Sequence, residues 1–75
     1  MNTQQKAIYL NNQWTWFDYQ ETEKNEALKE LLSFPKQRID EAYDWYVSQH
    51  YDYMAYGEYL RHAIDYIKGK VDNLW

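Results

Sequence analysis

Two glycines and one proline in 75 residues leave this chain few places to bend. A chain that rarely bends is built mostly from helices. The first helical segment is expected over 22–33, with Thr22 as N-cap and acids in the first turns, where the helix dipole favours them. Ala27, Leu28, Leu31 and Leu32 share its apolar side. Ser33-Phe34-Pro35 breaks the chain, and a second helix is expected over 36–50. There Ile39, Ala42, Tyr43, Tyr46, Val47 and His50 form a buried stripe in an arc of ~140°. A third helix, capped by Asp52, carries the clearest pattern. Tyr56, Leu60, Ala63, Ile64, Ile67, Val71 and Leu74 lie within ~100°, opposite Glu58, Arg61, Asp65, Lys68 and Asp72.

Residues 7–19 read differently. Ala-Ile-Tyr-Leu and Trp-Thr-Trp-Phe-Asp-Tyr are rich in strand-favouring side chains, and Asn11-Asn12-Gln13 lies between them as a polar break. A short β-hairpin is the first expectation. The alternative is a helix capped by Thr3 and running to about Leu10, which makes the protein all-α. The expected fold is thus mainly α (α+β): a single three-helix domain over 1–75, its last helix central, with the hairpin packed against it.

A chain this short buries only about 60% of the surface its unfolded form exposes. Nine tyrosines and four tryptophans supply large side chains for that core, each burying roughly 150–250 Å². The absence of cysteine removes disulfides and thiolate metal sites and fits a reducing compartment. No apolar run approaches the ~18–20 residues needed to span a bilayer. The opening residues lack the charged start and apolar centre of a signal peptide, so cytoplasmic residence is the expectation. Twelve acids against eight bases give a net charge of −4. That argues against direct nucleic-acid binding, which draws its affinity from a basic face.

Little in the chain points to catalysis. It has no cysteine nucleophile, no Gly-x-Ser-x-Gly elbow and no glycine-rich phosphate loop. Glu58, His62 and Asp65 share a helix face at i, i+4 and i+7, but Arg61 and Lys68 lie on it too, so the face reads as solvated and ion-paired. No metal and no cofactor are expected.

The aromatic residues that a buried stripe does not absorb point to binding. Trp45 projects beside Arg38, Glu41 and Gln49, outside the stripe of its helix. With Tyr51, Tyr53, Tyr59, Glu41 and Asp44 it forms the expected partner-binding set, because tryptophan and tyrosine dominate interface energies. Trp14, Trp16 and Trp75 fit either core or surface. Glu23, Glu26 and Glu30 share a face that can mimic nucleic-acid phosphates before a basic groove. The expectation is a non-enzymatic protein-binding module. Its concrete form is a small inhibitor, of the anti-restriction or anti-CRISPR type encoded by phages and mobile elements, that occludes a surface of a host nucleic-acid-binding or nuclease complex. The alternatives are a homodimer formed through the aromatic face and, behind it, a helical nucleic-acid binder.

Overall fold

The computed structural model describes the backbone of residues 1–18, 23–49 and 56–74, and the side chains of 1–14, 23–49 and 57–74. Four helices follow in order: α1 (Thr3–Asp18), α2 (Lys24–Leu32), α3 (Lys36–Ser48) and α4 (Tyr56–Ile67). Among the described residues there is no strand. The mainly-α expectation holds, and the N-terminal hairpin does not.

The correction at the N-terminus has a local cause. The Gln5 N–H donates to Asn2 Oδ1 at 2.8 Å, and the Asn2 N–H donates to Gln5 Oε1 at 2.9 Å. This reciprocal capping box satisfies two of the donors a helix start leaves open. Asn2 therefore starts the helix, and Thr3 uses its hydroxyl to donate to Asp40 Oδ1 of α3 at 2.9 Å. The helix then runs straight through Asn11-Asn12-Gln13. Ala7, Leu10, Asn11 and Trp14 recur at helical spacing and are all buried. Asn11 tolerates burial because its Nδ2 donates to the Lys24 carbonyl at 3.1 Å, tying α1 to the start of α2.

A second correction concerns which element is central. α1 packs against α2, α3 and α4, while α3 and α4 pack on each other. The core is Leu10 and Trp14 of α1, Leu31 of α2, Ile39 and Tyr46 of α3, and Leu60, Ile64 and Ile67 of α4, with alanines between. The last helix supplies the strongest stripe, as its sequence indicates, but α1 holds the other three together.

Helix α2 ends at Ser33, whose hydroxyl donates to the Glu30 carbonyl at 2.6 Å. Pro35 stands immediately before α3, and its carbonyl accepts from the Arg38 and Ile39 N–H groups. Helix α4 stops earlier than its stripe suggests. Gly69 adopts φ +77°, its N–H donates to the Tyr66 carbonyl, and the Lys70 N–H donates to the Asp65 carbonyl. That is the Schellman pattern, and it needs a residue at ease with positive φ. Leu74 still packs against the core, but from beyond the helix end. The expected caps Thr22 and Asp52, together with His50, lie outside the described residues.

Candidate functional site

The partner-binding residues expected from sequence fall in three places. Trp45, Tyr59 and Glu41 come together in the seam between α3 and α4. Asp44 lies elsewhere on α3 and faces Lys6 of α1. Tyr51 and Tyr53 lie outside the described residues, as do the side chains of Trp16 and Trp75.

The seam is built from one side of α3 (Arg38, Glu41, Trp45) and one side of α4 (Tyr59, His62, Tyr66). All six side chains are half-buried. At one end the Trp45 indole meets the Tyr59 ring edge to face, with centroids 5.8 Å apart and planes at 87°. His62 lies 5.5 Å from the same indole. The Trp45 Nε1 is itself buried. Trp45 is off the stripe of its own helix, as the sequence implies, but it is turned toward α4 and packs against the core rather than standing out on the surface.

At the other end the Arg38 guanidinium lies over the Tyr66 ring, and the Tyr66 hydroxyl donates to Glu41 Oε2 in a short hydrogen bond. Gln37 Nε2 donates to the other Glu41 oxygen at 2.9 Å. Accepting both bonds, first from Tyr66 and then from Gln37, holds the Glu41 carboxyl below its ordinary value. The same contact pushes the Tyr66 hydroxyl above its own, because phenolate beside carboxylate is unfavourable.

The acidic face expected on the second segment is present. Glu23, Glu26 and Glu30 are exposed, Glu23 at the N-cap position and the other two on α2. Lys68 Nζ pairs with Glu30 at 3.1 Å and lies 4.4 Å from the Trp14 ring centroid. Lys6 Nζ lies 3.8 Å from both Asp40 and Asp44, and 5.5 Å from the Tyr43 ring centroid. In these pairs the lysine is the buried member. Lys68 is 12% exposed against 51% for Glu30, and Lys6 is 19% exposed against 71% for Asp44. Each lysine holds its ammonium near an aromatic ring while Glu30 and Asp44 stay exposed, and Asp40 is half-buried beside Lys6. Sequence reading missed Lys6 and Lys68, since their partners come from other helices and no spacing within one helix signals them.

Glu58, His62 and Asp65 keep their shared register on α4. Among the described residues no three His, Asp or Glu side chains are grouped closely enough to hold a metal ion. His62 Nε2 lies 3.2 Å from the Asn73 carbonyl. No described helix is long and apolar enough to cross a membrane. Comparison with protein-family models, curated proteins and solved structures gives no match for this chain.

Proposed function

We propose that this chain is a non-enzymatic protein-binding module that occludes a basic, nucleic-acid-binding surface of a partner protein. The observation that carries the reading is the inward placement of Lys6 and Lys68 against aromatic rings while Asp44 and Glu30 stay outside. Arg38 is likewise half-buried and engaged with Tyr66. Among the described residues the exposed acids Glu23, Glu26, Glu30, Asp44, Glu58 and Asp72 outnumber the exposed bases Lys29, Lys36, Arg61 and Lys70, and an acidic surface steers toward a basic one. Glu23, Glu26 and Glu30 supply the face that takes the place of phosphates. In its specific form the reading is an inhibitor of the anti-restriction or anti-CRISPR type, produced by a phage or mobile element and acting on a host nuclease complex in the cytoplasm. Homodimerisation through the aromatic face draws less support, because Trp45, Tyr59 and Tyr66 are packed within the α3–α4 seam.

The test is affinity capture from a bacterial lysate with two controls: elution by short duplex DNA, and parallel capture with the Glu23→Gln/Glu26→Gln/Glu30→Gln variant. Captured proteins identified by mass spectrometry should be displaced by the duplex and absent from the variant sample. A partner retained by both would sink the phosphate-mimic reading. The chain alone should give no mobility shift with duplex DNA at low salt, for want of a basic stripe.

A further inference from the structure

Met1 is 65% exposed, the most open of the large apolar side chains described. Its sulfur is nonetheless engaged. The Tyr43 hydroxyl donates to Met1 Sδ at 3.1 Å, a contact from the chain start to α3. Tyr43 is half-buried and held on two sides: its ring meets Tyr9 edge to face with centroids 5.4 Å apart, and Lys6 Nζ lies 5.5 Å from its centroid. The chain beside Met1 is fixed as well, by the Asn2–Gln5 capping box and by the Thr3 bond to Asp40. A thioether sulfur is a weak acceptor, so a well-placed phenolic donor is spent on a poor partner. With no cysteine in the chain, Met1 and Met54 carry its only sulfur atoms; Met54 lies outside the described residues.

We propose that Met1 is a reversible oxidation site, at which a hydroperoxide converts the thioether to a sulfoxide that fastens the start of α1 to Tyr43 of α3. A sulfur lone pair attacks one peroxide oxygen; the S–O bond forms as the O–O bond breaks. With hydrogen peroxide, the departing hydroxide takes the proton of the transferred oxygen and leaves as water. Sulfur loses two electrons and the peroxide gains them. A dithiol-dependent methionine sulfoxide reductase runs the step back, yielding thioether, disulfide and water. Sulfoxidation usually disrupts, because it puts a polar group into an apolar contact. Met1 is exposed and forms no part of the core, so here no such contact is lost. The sulfoxide oxygen is a far stronger acceptor than the thioether. The unbranched Met1 side chain can turn to set it at the usual ~2.7–2.8 Å from the Tyr43 oxygen. Because α1 packs on the other three helices, a firmer hold at its first turn is felt by the whole domain. This inference stands independently of the inhibitor reading.

The test is hydrogen peroxide treatment of the full chain carrying Met54→Leu, which leaves Met1 as its one thioether. Trypsin then releases residues 1–6, whose mass should rise by one oxygen atom. In scanning calorimetry the oxidised chain should melt about 2–4 °C above the untreated one, as expected for one improved, solvent-facing hydrogen bond in a small domain. Tyr43→Phe keeps the ring and removes the hydroxyl. In that background Met1 should still be oxidised, and the midpoint should not rise. Methionine sulfoxide reductase with dithiothreitol should restore both the original mass and the original midpoint, and a sulfoxide that persists would overturn the reversibility. A Met1 that stays unoxidised while added free methionine is converted overturns the proposal. So does an oxidised chain that melts at or below the untreated one, or an equal rise in Tyr43→Phe.

Discussion

The Arg38 guanidinium lies 4.8 Å from the centroid of the Tyr66 ring, and its Nη1 donates to the Tyr66 carbonyl at 2.7 Å. One side chain of α3 thus serves both the ring and the backbone of a residue in the last turn of α4. The Tyr66 carbonyl also accepts from the Gly69 N–H, and a cation is the group that the dipole at a helix C-terminus favours. Through the Tyr66 hydroxyl the same residue reaches back to Glu41 of α3. The two helices are joined twice within one turn.

Arg38→Ala should therefore cost about 1–2 kcal/mol, the usual range for a charge-assisted hydrogen bond combined with a partly exposed cation–π contact. For a domain of this size that is a fall of roughly 4–16 °C in melting midpoint. Arg38→Lys keeps the charge but loses the planar fork, and should recover less than half. Differential scanning calorimetry of both variants, with Lys36→Ala as an exposed control, checks this. Full recovery by lysine would mean that charge alone is what matters.

The Tyr66–Glu41 bond makes stability depend on pH at both extremes. In the folded chain Glu41 holds its proton less tightly than in the unfolded one. Its contribution is thus present above the ordinary 4.5 and lost as pH falls through the lowered folded value. Tyr66 runs the opposite way. Its folded pKa is raised, so its contribution is whole below the ordinary 10.0 and lost as pH rises through the folded value. The stability difference between wild type and Tyr66→Phe, followed by urea unfolding, should form a plateau between these limits and shrink on either side. A difference that stays flat from acid to alkali would remove the bond from the account.

Gly69 closes α4 at φ +77°, and no atom lies within 4 Å of where its Cβ would be. The cost of adding one is therefore conformational and not steric. Gly69→Ala should destabilise by about 1 kcal/mol, with Gly69→Asn cheaper because asparagine tolerates the left-handed region. Gly57 has equally open surroundings without the positive φ. Gly57→Ala should be neutral or slightly stabilising by helix propensity. Equal melting shifts at the two glycines would contradict the assigned end of α4.

The apolar stripes of α3 and α4 were legible because burial there follows one period, and Ile39, Ala42, Tyr46, Leu60, Ala63, Ile64 and Ile67 all lie in the core. Helix α1 was obscured by Asn11. Its position on the stripe is right, but an asparagine beside Asn12 and Gln13 reads as a turn unless the Lys24 carbonyl that satisfies it is known. Its strand-like aromatics were misleading for a related reason, since packing on three helices outweighs intrinsic preference. The candidate site shows the same limit. Arg38, Glu41 and Trp45 could be placed on one face of their helix from spacing alone. Whether that face met solvent or α4 depended on Tyr59, His62 and Tyr66, which are 14 or more positions further along the chain.

Trp45 is where the two accounts diverge most sharply. Read from sequence, it is an exposed anchor whose loss spares the fold and costs a partner about 2 kcal/mol or more, as hot-spot truncations do. Its placement gives a different expectation for the unbound protein. The indole is half-buried with its nitrogen inside, in edge contact with Tyr59 and against His62. Removing such a ring leaves a void between α3 and α4 that two short helices close only in part, at about 2–3 kcal/mol for a partly buried tryptophan. Trp45→Ala should therefore lower the melting midpoint of the unbound chain by more than about 8 °C, and Trp45→Phe by less, since a smaller ring keeps part of the contact with Tyr59. Reduced partner capture by Trp45→Ala would then reflect a loosened seam as much as a lost contact, which makes the acidic-face variant the cleaner probe of binding. If Trp45→Ala melts with the wild type, the indole contributes nothing to holding the helices together, and its surface is available to a partner after all.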